Sequence, residues 1–284
     1  MPRLIVNADD FGLTPGVNRA IAELHARGLL TSTTLMARAG ATDQAINIAR
    51  STPSLGVGCH IVLVDGEPAS PPARIPSLID PATGRLFPTL GMFLPRLLSG
   101  RIPATEIEVE AAAQIELLQS RGVRLTHIDT HKHTHMFSSV LQPVLRAARA
   151  AGIGAIRNPF EPAWAVRATP GAAWMRIGQV TLLRWLQPAC LRILAEEHFV
   201  TPDGTVAMVG TGTLDVAALR SMLQNAPPGT WELVTHPGYN DADLAAVRTR
   251  LRASREVERE ALGALQEFPE LDLISFAALQ PAMC

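Results

Sequence analysis

The segment THIDTHKHTH contains four of the chain's eight histidines, His127, His131, His133 and His135, together with Asp129. Imidazole nitrogens and carboxylate oxygens bind divalent cations, and both groups also transfer protons. If the segment were extended throughout, the strand period of two would place all five side chains on one face. If the strand ended near Asp129, a helical turn would make His131 and His135 neighbours. Five ligands from one segment would crowd one another, so we expect most of these residues to support a ligand or to contact a bound molecule.

Reactive side chains also follow other short apolar runs. Asp9 and Asp10 end the first such run, and adjacent carboxylates repel each other unless a cation or a shared proton relieves them. One aspartate alone would more simply cap the following helix. His60 in GCH, Arg157 in IRNPF and His236 in THPG have ordinary alternatives as a core histidine, a partner for a surface acid and a turn residue. Their shared position after apolar runs favours a common site.

Short β-branched runs alternate with longer segments of helical period along most of the chain. This alternation is typical of β-α units around a parallel sheet, and we count about seven units. The carboxyl ends of parallel strands meet at one edge, so we expect the reactive side chains to converge there. The predicted strands are RLIV, LTSTTLMA, LGVGCHIVLV, LTHID, AIRN, WELV and LDLISFAAL.

Two proline-rich stretches, residues 64–88 and 158–174, interrupt this rhythm. They lack periodicity, and we predict that both are long loops near the edge that carries the site. We therefore expect one domain over residues 1–284. The apolar-rich segment that begins at Met175 is interrupted by arginines and a proline too often to cross a bilayer. It predicts an amphipathic or buried helix, and contact with a membrane surface is the less favoured alternative.

The composition is that of a folded protein without affinity for polyanions. Hydrophobic residues make up 47% and charged residues 18% of the 284 residues, and the formal net charge is −1. No stripe of basic residues is present, so we expect no nucleic-acid partner. Three widely separated cysteines, Cys59, Cys190 and Cys284, suit a reducing compartment. The chain opens on a strand-like run instead of a signal peptide, and we predict a cytoplasmic protein without a transmembrane segment.

Taken together, the motifs resemble those of the YdjC-like carbohydrate deacetylases, which include chitooligosaccharide and hopanoid-associated deacetylases. The resemblance extends over essentially the whole chain. It implies an irregular TIM-like (β/α) barrel, similar to that of the polysaccharide deacetylases, which removes acetyl groups from N-acetylated amino sugars with one divalent cation. The motifs that carry it, in chain order, are IVNADDFGLTPGVNRAI, TSTTLM, LGVGCHIVLVDGEP, THIDTHKHTHMF, IRNPF and THPG.

The resemblance also implies roles for individual residues. Asp10, His60 and His131 match the family's metal ligands, and Asp9 resembles its catalytic base. Two imidazoles and one carboxylate suit zinc best, with magnesium, manganese, cobalt or iron as alternatives. Through a more distant analogy with the polysaccharide deacetylases, Arg157 matches an arginine that orients the base.

An amide hydrolase also needs an acid that protonates the leaving amine. His236 resembles the general acid of the polysaccharide deacetylases, and its place after a late strand predicts a position across the barrel mouth from Asp9. His133 and His135 are competitors for this role. We otherwise expect these two histidines, with Asp129, to contact substrate or to support the ligands.

The residues leave other functions open. A barrel glycosidase would use Asp9 and a second acid such as Asp129, which leaves the histidines without a role. A non-catalytic protein would bind a metal or a sugar on the same scaffold. Within the deacetylase interpretation, LVDGEP followed by IPSLID resembles the hopanoid-associated branch, whose substrate is an N-acetylglucosaminyl lipid, and a soluble chito-oligosaccharide is equally consistent. A homodimer is compatible with the sequence.

Overall fold

The computed structural model describes residues 2–279, so Cys284 lies outside the described residues. Seven strands form one parallel sheet, in the spatial order β6-β3-β2-β1-β8-β7, and β9 pairs with the first residues of β1. An antiparallel pair, β4 with β5, lies apart from it. The strands are β1 (Pro2–Phe11), β2 (Ser32–Leu35), β3 (Gly56–Ile61), β4 (Ile79–Asp80), β5 (Arg85–Leu86), β6 (Leu125–Thr130), β7 (Gly204–Val206), β8 (Gly229–Thr235) and β9 (Asp272–Leu273).

Eleven α-helices are found within residues 2–279. Most of them are crossovers between parallel strands, as the sequence pattern predicts. The helices are α1 (Pro15–Ala26), α2 (Thr42–Ser51), α3 (Leu90–Leu98), α4 (Ala104–Ser120), α5 (Ser138–Ala150), α6 (Ala163–Arg167), α7 (Trp174–Leu183), α8 (Gln187–Glu196), α9 (Val216–Gln224), α10 (Ala242–Ala246) and α11 (Ala253–Ala261).

Helix α5 illustrates how the crossover helices cover the sheet. Val140, Leu141, Val144, Leu145 and Ala148 are all buried, and their spacing of one, three, one and three residues places them on one face. The strands that these helices cover are buried along nearly their whole length. A strand with both faces covered reads as a continuous apolar run, which is why the predicted strands were recognisable.

Isolated bridges span the gap between the edge strands β6 and β7. Ile128 pairs with Ile156, and Ala155 pairs with Val200, four residues before β7 begins. The sheet therefore curls into an irregular α/β barrel, and the predicted fold class is confirmed. Within residues 2–279 no helix is both long and apolar enough to cross a membrane.

Several details differ from the predictions. LDLISFAAL was predicted as a strand but forms only β9, and a 3-10 turn follows at Phe276–Leu279. AIRN was predicted as a full strand but makes only the two bridges, because Pro159 follows at once and has no N–H to continue a ladder. The strand β7 was missed, since its three residues are too short to show a period. The two predicted loops carry short elements: residues 64–88 include β4 and β5, and residues 158–174 include α6.

Candidate active site

Three predicted ligands converge at the carboxyl edge of the sheet. Asp10 is in the last two residues of β1, His60 is near the end of β3, and His131 directly follows β6. His60 Nε2 lies 3.2 Å from His131 Nδ1, and Asp10 Oδ1 lies 3.7 Å and 3.6 Å from these two nitrogens. One atom from each residue therefore faces a common point, with all three atoms within 4.8 Å of one another.

A carboxylate holds His60 from the opposite side of its ring. The register of β3 with β6 places His60 opposite Asp129, and His60 Nδ1 lies 2.7 Å from Asp129 Oδ1. Burial disfavours the imidazolium, but Asp129 outweighs it and raises the pKa of His60 to about 9. His131 has no such partner, and burial lowers its pKa to about 4. Asp129 thus orients the ring so that Nε2 of His60 is directed at Asp10 and His131.

Asp9 faces a different group from its neighbour Asp10. Arg157 donates from Nη2 to Asp9 Oδ1 at 2.6 Å and from Nη1 to Asp9 Oδ2 at 2.9 Å. The side chains of Asn7 and Thr34 donate to the same Oδ1 at 3.0 Å and 3.2 Å. Burial would raise the pKa of Asp9, but the guanidinium holds it well below its ordinary value. The carboxylate is therefore ionised throughout the neutral range.

One guanidinium serves three buried carboxylates. Arg157 also donates from Nε to Glu232 Oε1 at 2.8 Å and from Nη1 to Asp129. Its own pKa rises well above the ordinary value, because the surrounding acids outweigh the burial. Glu232 is the least compensated of the three, and burial raises its pKa to about 7. Protonation of Glu232 near neutral pH therefore reduces the net negative charge of the cluster.

His236 lies beside Asp9 and not across the barrel mouth. The predicted position is wrong because β8 pairs directly with β1, with Thr235 opposite Ala8. His236 Nε2 is 3.8 Å from Asp9 Oδ2, and the His236 backbone N–H donates to Glu258 Oε2 at 2.6 Å. Burial lowers the pKa of His236, but Glu258 and the aspartates outweigh it and raise the pKa above the ordinary value.

The other histidines of THIDTHKHTH diverge. The strand ends at Thr130 and a 3-10 turn follows, with Lys132 and His133 in the left-handed region at φ 58° and 53°. Neither an extended chain nor a regular helical turn is formed, so the imidazoles do not share a face. His135 Nδ1 contacts Thr130 Oγ1 at 2.7 Å, and burial lowers the pKa of both His133 and His135, the latter to about 3.

His127 packs away from the proposed ligands. Its ring stacks on Phe276 at a centroid distance of 3.8 Å, and a side chain at Gly58 would come within 2.6 Å of it. Thr126 Oγ1 lies 2.9 Å from its Nδ1. This histidine is a packing residue of β6.

Backbone strain is concentrated around the site. Asp10, Asp65, Lys132 and His133 are four of the six non-glycine residues with positive φ among those described. Lys132 donates to Asp65 at 2.8 Å, which ties the turn carrying the histidines to the segment after β3. Non-glycine residues in this region cost of order 1–3 kcal/mol each and persist where surrounding contacts hold them.

Three charged residues of this cluster were not identified from the sequence. Arg255 donates to Asp10 Oδ2 at 2.5 Å, Glu258 binds the backbone of His236, and Glu232 contacts Arg157. In α11 and the turn after it, Arg255, Glu258, Leu262 and Leu265 are all buried at helical spacing. Arg255 and Glu258 thus share a helical stripe with apolar residues. Their spacing could have indicated that they are buried, whereas the overall composition could not.

A groove of about 960 Å³ lies beyond the carboxyl ends of β1, β2 and β3, and the proposed ligands are not part of its lining. Leu13, Met36 and Asp65 line it, and they follow β1, β2 and β3 at the edge that carries Asp10 and His60. Apolar and charged side chains both line it, and Arg85 pairs with Glu67 and Arg121 with Asp43. The charged residues of its wall are Arg38, Asp43, Asp65, Glu67, Arg85, Arg121 and Arg248. Such a mixed lining fits a ligand that presents both hydroxyl groups and an apolar face.

The residues at the convergence point fit one divalent cation. The donor set is two imidazole nitrogens and one carboxylate oxygen, which is a common set for zinc in a catalytic site. The second nitrogen of His60 is held by Asp129, an arrangement typical of metal-binding histidines. Arg255 is the one feature that opposes a cation, because its guanidinium already pairs with Asp10.

Comparison with known proteins gives a consistent result. The family model described as YdjC-like protein matches residues 3–267. A carbohydrate deacetylase of Thermoanaerobacter pseudethanolicus is 29% identical over 92% of this chain and 91% of its own. A chitooligosaccharide deacetylase of Klebsiella pneumoniae is 41% identical over 53% of this chain and 57% of its own. The crystal structure of a putative cellobiose-phosphate cleavage protein of Enterococcus faecalis has 26% identity and a TM-score of 0.76, with 99% of both chains covered.

The motifs, the fold and the convergent side chains thus agree with a family match that extends over most of the sequence. We conclude that this chain belongs to the YdjC-like protein family.

Proposed function

We propose that the protein is a metal-dependent hydrolase that removes the acetyl group from an N-acetylated amino sugar and releases acetate. The observation that carries this proposal is the adjacency of two differently paired aspartates. Asp10 faces two imidazoles, whereas Asp9, the next residue, faces an arginine and His236. One edge of the barrel therefore offers a cation site, an ionised base and an imidazole acid within reach of one another. The curated relatives named as deacetylases support the same reaction class.

The cation would be held by Asp10, His60 and His131, and zinc suits these donors best, with magnesium or another divalent metal as an alternative. When bound, it would lower the pKa of water and stabilise the negative charge that develops on the acetyl oxygen.

Asp9 is proposed as the base that accepts the proton of the attacking water. Arg157 binds both of its oxygens and keeps it ionised, so the base is available from acidic to alkaline pH. The hydrogen bonds from Arg157, Asn7 and Thr34 together orient the carboxylate of Asp9. Arg157 and these two polar side chains are positioning residues in this scheme.

His236 is proposed as the acid that protonates the leaving amine. Its pKa is raised above the ordinary value, whereas burial lowers the pKa of His133 and His135. An acid must carry its proton at the working pH, so the direction of these shifts favours His236 over both competitors. Its distance of 3.8 Å from Asp9 requires the amide to bind beside the pair and not between two opposite walls.

The charged groove is proposed as the binding surface for the sugar. A chito-oligosaccharide presents hydroxyl and amide groups that arginine and carboxylate side chains bind well. An N-acetylglucosaminyl lipid of hopanoid type would place its sugar in the same groove. The glycosidase alternative is less favoured, because one nitrogen of Arg157 contacts both Asp9 and Asp129, and a glycosidase needs its two carboxyl groups on opposite sides of the scissile bond.

Acetate release tests the proposal. The metal-reconstituted protein should release acetate from N-acetylglucosamine, its oligomers or N-acetylglucosaminyl lipids, and chelation should abolish the release. His60→Ala and His131→Ala should lose bound metal and activity, while His198→Ala, an exposed control, should keep both. Release of free sugar that survives chelation would favour a glycosidase. A bound metal without acetate release from any of these compounds would favour a binding protein.

A further inference from the structure

The longest run of exposed apolar side chains belongs to α7 and the turn after it. Trp174, Met175, Leu182 and Trp185 have 81%, 61%, 69% and 82% of their surface exposed, and we refer to these four residues as the Trp174 face. The helical backbone continues from α7 through a 3-10 turn at Arg184–Leu186 into α8. Trp174, Leu182 and Trp185 are separated by eight and three residues, so they lie on one side of this run.

Exposure of this size is unusual for tryptophan. Of the two other tryptophans, Trp231 is 8% exposed, and Trp164 packs edge to face against it at 5.1 Å. Single exposed apolar residues are common, but an aligned group that includes two tryptophans marks an interaction surface. Tryptophan is also the residue that favours the boundary between a polar and an apolar phase.

Basic residues predominate around the Trp174 face, and exposed Glu196, four residues after Arg192, is the first acidic residue that follows it. From residue 162 to residue 195 the sequence has four arginines and no acidic residue. Arg184 precedes Trp185 in the sequence. Arg192 is exposed, lies seven residues after Trp185 and is on the side of the helical run that carries Trp174. Arginine beside tryptophan on an exposed helix is typical of helices that rest on anionic lipid headgroups.

The helix is anchored close to the candidate active site. Arg176 donates to the carbonyl oxygen of Met208 at 3.2 Å, and Met208 follows β7 at the carboxyl edge of the sheet. Val209 in the same loop donates to Glu161, which precedes α6. Docking through the Trp174 face would therefore bring this edge of the barrel close to the surface that it binds.

We propose that the Trp174 face docks on an anionic lipid bilayer, with the tryptophans inserted at the headgroup level and Arg184 and Arg192 against the lipid phosphates. A second copy of the chain fits this surface less well. A symmetric dimer places the same patch against itself, and Arg184 and Arg192, the two arginines beside the Trp174 face, would then lie near their copies. The inference does not depend on the proposed reaction, because binding to lipid involves no chemistry at the barrel mouth.

Vesicle binding by the full chain tests the inference. The protein should co-sediment with phosphatidylglycerol vesicles, should bind phosphatidylcholine vesicles much more weakly, and should dissociate as salt is raised. Tryptophan fluorescence should shift to shorter wavelength on binding, because Trp174 and Trp185 leave water. Trp174→Ala with Trp185→Ala should lower affinity by tenfold or more and remove the shift.

The arginines give a second, independent readout. Arg184→Gln and Arg192→Gln should each weaken binding to anionic vesicles by about fivefold, the effect expected for one basic residue near the surface. Arg124→Gln, at an exposed position on the turn before β6, and Leu98→Ala, an exposed apolar residue of α3, should have no effect. Acetate release from a soluble substrate should be unchanged in all of these variants.

Three results would overturn the inference. They are no binding to phosphatidylglycerol vesicles, equal binding to neutral and anionic vesicles, and a dimer in analytical ultracentrifugation that the double tryptophan variant abolishes. Loss of acetate release with vesicle binding intact would instead count against the proposed function alone.

Discussion

Asp9 and Asp10 are neighbours in the sequence but differ in the arginine that each one binds. Arg157, which binds Asp9, also contacts Asp129 and Glu232, so each of its three nitrogens has a partner. Arg255, which binds Asp10, uses only Nη2, and its Nε and Nη1 are buried without a hydrogen-bond partner. The guanidinium of Arg157 is fully paired, and that of Arg255 is not.

This difference in pairing assigns the Arg157 cluster to positioning and the Arg255 cluster to binding. Buried charges with every donor and acceptor paired are rigid and specify one geometry, which suits the side that must orient a base. Buried donors without partners are costly and mark a place where a further group is expected. Arg255 pairs with Oδ2 of Asp10, whereas Oδ1 faces the two imidazoles, so we expect the positive charge of Arg255 to weaken cation binding without occupying the ligand atom.

The largest expected effect distinguishes the two aspartates themselves. Asp9→Asn should retain the metal, because all three proposed ligands remain, and should lower the rate of deacetylation by about two orders of magnitude or more, the scale of a lost general base. Asp10→Asn should lose the metal. Elemental analysis and acetate release measure the two quantities. If Asp9→Asn loses the metal and Asp10→Asn keeps it, the two roles are exchanged.

Substitutions of Arg157 and Arg255 should give the next largest difference. Arg157→Met leaves three buried carboxylates without their cation and should lower the free energy of unfolding by about 3–5 kcal/mol, whether or not metal is added. Arg255→Met should lower it less and should increase metal affinity by about tenfold or more, since a hydrogen bond to a charged group contributes about 1.5–3 kcal/mol.

Denaturant titration with and without zinc, and calorimetric titration of metal, measure these effects. Arg220→Met provides a matched control, because Arg220 pairs with Glu267 at the surface and should change neither quantity appreciably. Equal metal affinity in Arg255→Met and the parent protein would show that Arg255 does not compete with the cation.

Glu258 should have a smaller, pH-dependent effect. Glu258→Gln removes the carboxylate that helps to raise the pKa of His236, so the alkaline limb of kcat/KM should move to lower pH, since a general acid is lost as the pH rises through its pKa. The rate near neutral pH should fall by about tenfold, within the range of general acid catalysis. Glu258→Asp should restore part of the profile, and metal content should not change. If the alkaline limb of kcat/KM does not move, the pKa that it reports belongs to a group other than His236.

His127 gives the smallest effect, and it concerns stability alone. Burial lowers the pKa of this imidazole well below its ordinary value, so it is neutral in the folded state and takes up a proton only on unfolding. The loss of folding stability caused by the neutral His127 is absent above the unfolded-state pKa of about 6.5. It grows as the pH falls below that value, because only the unfolded chain then binds the proton. His127→Leu should reduce the slope of unfolding free energy against pH below 6.5 by up to about 1.4 kcal/mol per pH unit, the value for one proton. Thermal unfolding between pH 4 and pH 7 measures this slope, and an unchanged slope would show that His127 is protonated in the folded state.

The strands and the positions of Asp9, Asp10, His60 and Asp129 could be read from the sequence. Runs of β-branched residues with both faces buried identify strands without reference to their partners, and a polar residue directly after such a run must lie at the carboxyl edge of a parallel sheet. The local pattern therefore determined which side chains converge.

The partners of those side chains could not be read in the same way. Asp9 and Arg157 are 148 residues apart, and Asp10 and Arg255 are 245 residues apart, so no periodicity connects them. Arg255 and Glu258 were not predicted as site residues, and their burial depends on how α11 packs against the rest of the barrel.

The sequence by itself determined the β-α alternation and the residue types at the strand ends, because these depend on local period, and its motifs identified the family, whose resemblance implied the barrel. Only the tertiary structure decided that β8 lies against β1, which moves His236 from the opposite wall to a position 3.8 Å from Asp9. It also decided that one aspartate of the pair has a fully satisfied arginine and the other does not. The physical reason is that charge pairing in a buried site depends on distances between segments remote in the chain, and strand order sets those distances.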